Sequence, residues 1–113
     1  MNKEWYLVID RIPQKGAWNM AVDEFLFHSL GEEAATYLRF YMWSKSTVSL
    51  GHSQKAAKVV NLDFCLKRGI EVVRRITGGK LVLHHKELTY SVCSSDTDIF
   101  SQKLMNSYRL ISE

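Results

Sequence analysis

Between Arg74 and His85 the chain reads Arg-Arg-Ile-Thr-Gly-Gly-Lys-Leu-Val-Leu-His-His, a stretch dense in groups able to do chemistry. Two adjacent glycines let the backbone approach a ligand closely and take up positive φ without a steric cost. Successive amides in such a turn can point inward together and form a nest for an anion. Arg74, Arg75 and Lys80 add fixed positive charge, and Thr77 adds a short hydroxyl donor. The alternative is a β-hairpin whose Gly-Gly connection only satisfies turn chemistry, with basic residues keeping an edge soluble. His84 and His85 are of a type that could act as general acid or base. A histidine pair after a strand also serves structure alone, and no nearby carboxylate or thiol is expected to complete a nucleophilic constellation. A metal site is not expected, because adjacent strand residues point in different directions and no third ligand has sensible spacing.

The elements that position this stretch follow from periodicity. Ile70–Arg75 is a β-branched strand leading into the turn, and alternation sends Arg74 and Arg75 to opposite faces, so that one of them serves the site. Leu81–Leu83 and Leu88–Val92 read as two further strands, joined by His84 to Glu87. Upstream, Trp5–Ile9 is short and apolar, a strand expected to be buried on both faces. After a loop from Arg11 to Gly16, apolar residues at helical spacing from Trp18 to Leu30 predict a helix that Gly31 ends. Asp23 and Glu24 are placed early in it, where the helix dipole favours acids. Asn19 is expected to cap that helix, with a ligand-facing role as the alternative. Tyr37–Trp43 alternates as a strand, with Leu38, Phe40 and Met42 on one face. Thr47–Gly51 is then expected in hairpin relation to it. His52–Val60 reads as loop, and Asn61 caps a short helix closed by Gly69. From Asp98 the positions Phe100, Leu104, Tyr108 and Ile111 predict an amphipathic helix. The sum is an α+β arrangement: a mixed, largely antiparallel sheet of six strands with three flanking helices.

Composition sets limits on function. The chain has 113 residues, 46% hydrophobic and 24% charged, which suits one globular domain. A net charge of +3 permits an anionic ligand or an acidic protein partner but leaves no electrostatic footprint for nucleic acid. No apolar run approaches the roughly 20 residues of a membrane span, and no signal peptide is expected at the start. The two cysteines, Cys65 and Cys93, lie in apolar surroundings without pairing or metal spacing, as expected of reduced, buried thiols in a cytoplasmic protein. Neither has a cation or helix N-terminus beside it to make a nucleophile.

Several stretches together resemble the catalytic domain shared by lipoate–protein ligases, octanoyltransferases and biotin–protein ligases. Gly16–Glu24 is similar to the family's first helix, and Thr47–Gln54 to its Gly-x-x-Gln strand end. Arg74–His85 is similar to its loop Arg-Arg-x-Ser/Thr-Gly-Gly-x-x-Val-x-His-Asp. Glu87-Leu88-Thr89-Tyr90-Ser91 matches the octanoyltransferase branch, whereas the ligase branch tends to carry Gly-Asn in place of Glu87-Leu88. The resemblance covers the chain nearly end to end. It makes residues 1–113 the N-terminal part of such a domain, an incomplete catalytic core related to class II synthetases.

The resemblance implies protein lipoylation: transfer of an octanoyl or lipoyl group onto a lysine of a carrier domain. That carrier would be the glycine-cleavage H protein or a 2-oxoacid dehydrogenase subunit. No permanently bound cofactor is implied, the acyl group being substrate, and ATP with Mg²⁺ enters only for a ligase. By the same resemblance Arg75, Thr77, Gly78, Gly79 and the amide of Leu81 line the pocket around the acyl carbonyl or an adenylate phosphate. Trp43 flanks the acyl chain and His84 borders the reaction centre. Eight buried carbons at about 0.8 kcal/mol per methylene would supply most of the affinity. Three positions depart from the family pattern. Lys80 stands where glycine or arginine is usual, His85 where aspartate is usual, and His52 where arginine is common. The family's carbonyl-holding lysine and the octanoyltransferase cysteine are expected after the matched segments, on a C-terminal portion or partner chain. Two other readings stay open: a non-catalytic module that binds an acyl group or carrier, and an unrelated small anion-binding domain.

Overall fold

The computed structural model describes residues 4–30 and 35–95, and residues 104–111 by their backbone alone. The described elements run in the order β1 (Glu4–Ile9), α1 (Gly16–His28), β2 (Ala35–Met42), β3 (Thr47–Leu50), α2 (Ala56–Val59), α3 (Leu62–Arg68), β4 (Glu71–Arg74), β5 (Val82–His84), β6 (Glu87–Ser94) and β7 (Leu104–Ile111). The α+β class stands, but the strands divide into two sheets, ordered β1-β2-β6-β7 and β4-β3-β5. β1 runs parallel to β2, and β6 is antiparallel to both its neighbours, β2 and β7. In the small sheet β3 is parallel to β4 and antiparallel to β5.

The structure corrects several expectations, most of them about which segments meet. β2 and β3 are not a hairpin. Trp43 bridges Gln14 in parallel, Ser44 N donates to Gln14 O at 2.8 Å, and the chain leaves the large sheet before β3 begins. β4 and β5 are not a hairpin either, because β3 lies between them. The helix expected from Asp98 is strand β7 over Leu104–Ile111, paired residue for residue with β6. The open hydrogen-bonding edge of β6 overrides a local helical spacing there. The start of that predicted helix lies outside the described residues, as does Gly31. Among the described residues β1 is an edge strand paired with β2 alone, and Trp5, Leu7 and Ile9 are all more than half exposed instead of buried. The presumed loop from His52 to Val60 contains the short helix α2. Asn61 does cap α3, its Oδ1 accepting from Phe64 N at 3.0 Å, and Gly69 closes it at φ 68°.

What holds α1 on the large sheet is polar. Arg39, central in β2 and fully buried, donates from Nε to Asp10 Oδ2 at 2.8 Å and from Nη1 to Asp23 Oδ1 at 2.8 Å. The remaining guanidinium donors reach the Asn19 carbonyl and Asn19 Oδ1, each at 2.9 Å, and the group lies 3.9 Å from the centroid of Tyr41. Asn19 therefore does not cap α1, and its side chain is fully buried between helix and sheet. Its Nδ2 donates at 3.0 Å to Met42 O, so it joins α1 to the end of β2. Asp23 sits mid-helix, not at the N-terminus, and also accepts from Ser91 and Tyr41. Burial raises its carboxyl above the ordinary range, outweighing the opposing pull of Arg39.

The amides that open α1 find their acceptor across the molecule. Glu71, the first residue of β4, takes Gly16 N at 2.8 Å and Ala17 N at 3.0 Å on its two carboxylate oxygens. A negative group is favoured at that helix end. Gly16 is needed for the approach, because a Cβ there would come within 2.6 Å of Thr47 Cγ2.

Replacing Arg39 with methionine is expected to lower the unfolding free energy by about 3–5 kcal/mol, since Asp23 would stay buried without its cation. Denaturant unfolding of the two proteins measures this. A loss under about 1 kcal/mol would show that the network does not hold α1.

Candidate functional site

The glycine corner lies across the end of β3. A Cβ on Gly51 would fall 2.0 Å from Gly79 O, so two backbones cross where no side chain fits. Gly79 has φ 97°, a left-handed conformation that glycine adopts without strain. The crossing is stitched by Arg75 N donating to Leu50 O and His52 N donating to Thr77 O, each at 2.8 Å.

The two arginines brace opposite flanks. Arg75 donates from Nη1 to Ser49 O at 2.8 Å and Ser49 Oγ at 2.6 Å, and from Nη2 to Gly78 O at 3.2 Å and Lys80 O at 2.7 Å. Partial burial lowers its pKa from the ordinary value, yet a guanidinium keeps its charge. Arg74 reaches the other way, to the carbonyls of Gly51, His52 and Gln54. Alternation separates them, as the sequence implies, but each holds a loop. The hold on Gly78 O and Lys80 O has a further effect. In a trans peptide the carbonyl and the next amide point in opposite directions. The N–H groups of Gly79 and Leu81 are thereby turned to the side of the loop away from the guanidinium.

Beside this corner stands a pair of stacked rings. Trp43 and His84 have centroids 4.0 Å apart and planes inclined by 14°. His84 is buried at the end of β5, with Nε2 at 2.7 Å from Ser49 Oγ and Nδ1 at 3.1 Å from Glu87 Oε2. Trp43 Nε1 donates to Thr89 Oγ1 at 2.8 Å, and Thr89 donates to the same Glu87 oxygen at 2.8 Å. His85 turns outward and meets Ser46 Oγ at 2.6 Å. A carboxylate thus does stand beside His84, contrary to the expectation from sequence.

Of the residues named from sequence, Arg75, Thr77, Gly78, Gly79 and Leu81 form one corner, with His84 linked to it through Ser49 and Trp43 stacked on His84. Lys80 is exposed on the same corner. Sequence reading missed Ser49, Glu87 and Thr89. The signal was present in β6, where polar Glu87, Thr89 and Ser91 alternate with Leu88, Tyr90 and Val92 and so share one face. Both cysteines are buried elsewhere. Burial, helped by nearby Asp23, pushes the Cys93 thiol up to about 12, so it keeps its proton at neutral pH.

Residues 15–113 match the lipoyl protein ligase A/B catalytic domain, and the chain belongs to that family. It is similar to the octanoyltransferase LipM of Carboxydothermus hydrogenoformans, 45% identical over 112 residues that cover 97% of this chain and 42% of the relative. The LipM of Clostridioides difficile is 43% identical, covering 94% of this chain and 40% of its own length. Among solved structures, the bipartite lipoate protein ligase studied with its E2 lipoyl domain from Thermoplasma acidophilum superposes with a TM-score of 0.74 at 35% identity, covering 88% of this chain and 40% of that one. A lipoate-protein ligase A bound with ATP gives a TM-score of 0.70 at 35% identity, covering 89% of this chain and 41% of that one. The chain therefore spans about two fifths of the length of the curated relatives it matches.

Two outcomes test this geometry. Arg75→Ala should accelerate amide hydrogen exchange at Gly78–Leu81, and Arg74→Ala at Gly51–Gln54 instead; identical exchange maps would refute the division of labour. A disulfide reagent at mildly alkaline pH should find neither thiol in the folded protein and both after unfolding. Fast native labelling of Cys93 would contradict its burial.

Proposed function

We propose that this chain supplies the acyl-recognition part of a protein-lipoylation enzyme of the octanoyltransferase type. Its site receives an octanoyl or lipoyl group that is passed to a lysine of a lipoyl carrier domain, on the glycine-cleavage H protein or a 2-oxoacid dehydrogenase subunit. The observation that carries the reading is the orientation of the glycine corner. Arg75 draws the Gly78 and Lys80 carbonyls toward itself, which turns the Gly79 and Leu81 amides outward as donors for an acyl carbonyl. The Trp43–His84 stack offers a flat apolar flank, the kind of surface on which a methylene chain gains affinity while polar groups set its direction.

On this reading Thr77 and the exposed Lys80 add donors around the polar head, and Arg75 works as the brace of the loop. The step that breaks the acyl bond belongs to groups supplied by the rest of the domain, whether carried on the same polypeptide or on a partner chain. Sequence similarity to LipM proteins and the Glu87–Ser91 motif both favour the transferase. The ATP-dependent ligase is the second reading, supported by the likeness to the ATP-bound lipoate-protein ligase A.

Octanoate binding to the full chain, followed by calorimetry, tests the site. Arg75→Ala should weaken binding about tenfold, because the loop loses the brace that orients its amides, whereas Arg74→Ala should leave it within about threefold. Equal losses would remove Arg75 from the site. Combined with the C-terminal portion of a LipM relative, the chain should move the octanoyl group from an octanoyl carrier to an apo lipoyl domain without ATP. A strict need for ATP would favour the ligase.

A further inference from the structure

The hydrogen bonds around His84 have directions that chemistry fixes from both ends. A guanidinium only donates, so Arg75 Nη1 donates to Ser49 Oγ at 2.6 Å. Ser49 accepts there and directs its single proton to its other neighbour, His84 Nε2 at 2.7 Å. Nε2 is then an acceptor, and the ring proton sits on Nδ1, which faces Glu87 Oε2 at 3.1 Å. From the opposite end, the indole N–H of Trp43 only donates, to Thr89 Oγ1 at 2.8 Å. Thr89 passes its own proton to Glu87 Oε2, also at 2.8 Å. Two chains of donors converge on one carboxylate oxygen, and the two rings they fix are those that stack.

An imidazolium does not fit this arrangement. It would aim two cationic donors, Arg75 and His84, at one hydroxyl. The Ser49 proton would then have no acceptor among the described residues, in a side chain that is fully buried. Such an orphaned donor is costly.

We infer that Ser49 and Glu87 are positioning residues that lock His84 as the neutral Nδ1–H tautomer, with Nε2 occupied. His84 then serves the acyl site as a fixed flat wall stacked on Trp43, and not as a proton carrier. Glu87 has the larger part, because the same oxygen sets His84 directly and Trp43 through Thr89. The role as a wall rests on the acyl-site reading; the tautomer does not.

The test is nitrogen NMR of the histidine ring in the full ¹⁵N-labelled chain, free and with octanoate. The wild type should show a protonated-type Nδ1 and an unprotonated, hydrogen-bonded Nε2 at His84. A proton on Nε2, on both nitrogens, or exchanging between them would overturn the inference. Ser49→Ala should shift the Nε2 resonance toward that of a nitrogen without a donor, and Glu87→Gln should speed exchange of the Nδ1 proton with water. Spectra unchanged by both substitutions would also overturn it. Octanoate should perturb the His84 resonances without moving the ring proton. The inferred tautomer with no octanoate response would leave Ser49 and Glu87 in their roles and end the acyl reading alone.

Discussion

Arg39 is the constraint on which the molecule depends. A fully desolvated guanidinium in the middle of a strand is tolerable only where opposite charge and carbonyl oxygens meet its donors. Asp10, Asp23 and Asn19 do so here, and they come from the loop after β1 and from α1. One side chain thereby fixes how α1 lies on the large sheet. Because Asn19 also holds the end of β2, the same lock determines where Trp43 leaves that sheet. The stacked rings of the site are thus placed by an electrostatic knot buried between helix and sheet.

Parts of this were legible in the sequence, and the reason is range. Asn61 and Gly69 announce the ends of α3 because capping is decided within a few residues. The strands on either side of Gly78-Gly79 are legible for the same reason, as is the divergence of Arg74 and Arg75. Pairing is a different matter. That β3 inserts between β4 and β5, or that β6 recruits β7, depends on edges that meet across the fold, and local spacing carries no trace of it. The exposure of β1 likewise follows from its edge position and not from its apolar composition.

In the site the same division holds. The glycine corner and its cations could be named from their types, but their use could not. Arg75 and Arg74 look like anion receptors in sequence, and in the structure Arg75 Nη1 and Nη2 and Arg74 Nη1 all reach backbone carbonyls, Arg75 Nη1 reaching the Ser49 hydroxyl as well. Glu87 lies three residues from His84 and was still missed, because the turn between β5 and β6 is what brings the two side chains together. Alternating polar residues on an otherwise apolar strand were the available clue.

The carboxylate of Glu71 has a mechanical consequence. It belongs to the first residue of β4, yet it closes the open amides of α1, while Gly16 lets that helix end press against Thr47 of β3. Helix and small sheet are therefore coupled as a single lever. Rotation of the small sheet away from α1 would carry Glu71 off and uncap the helix, so the two elements resist moving apart.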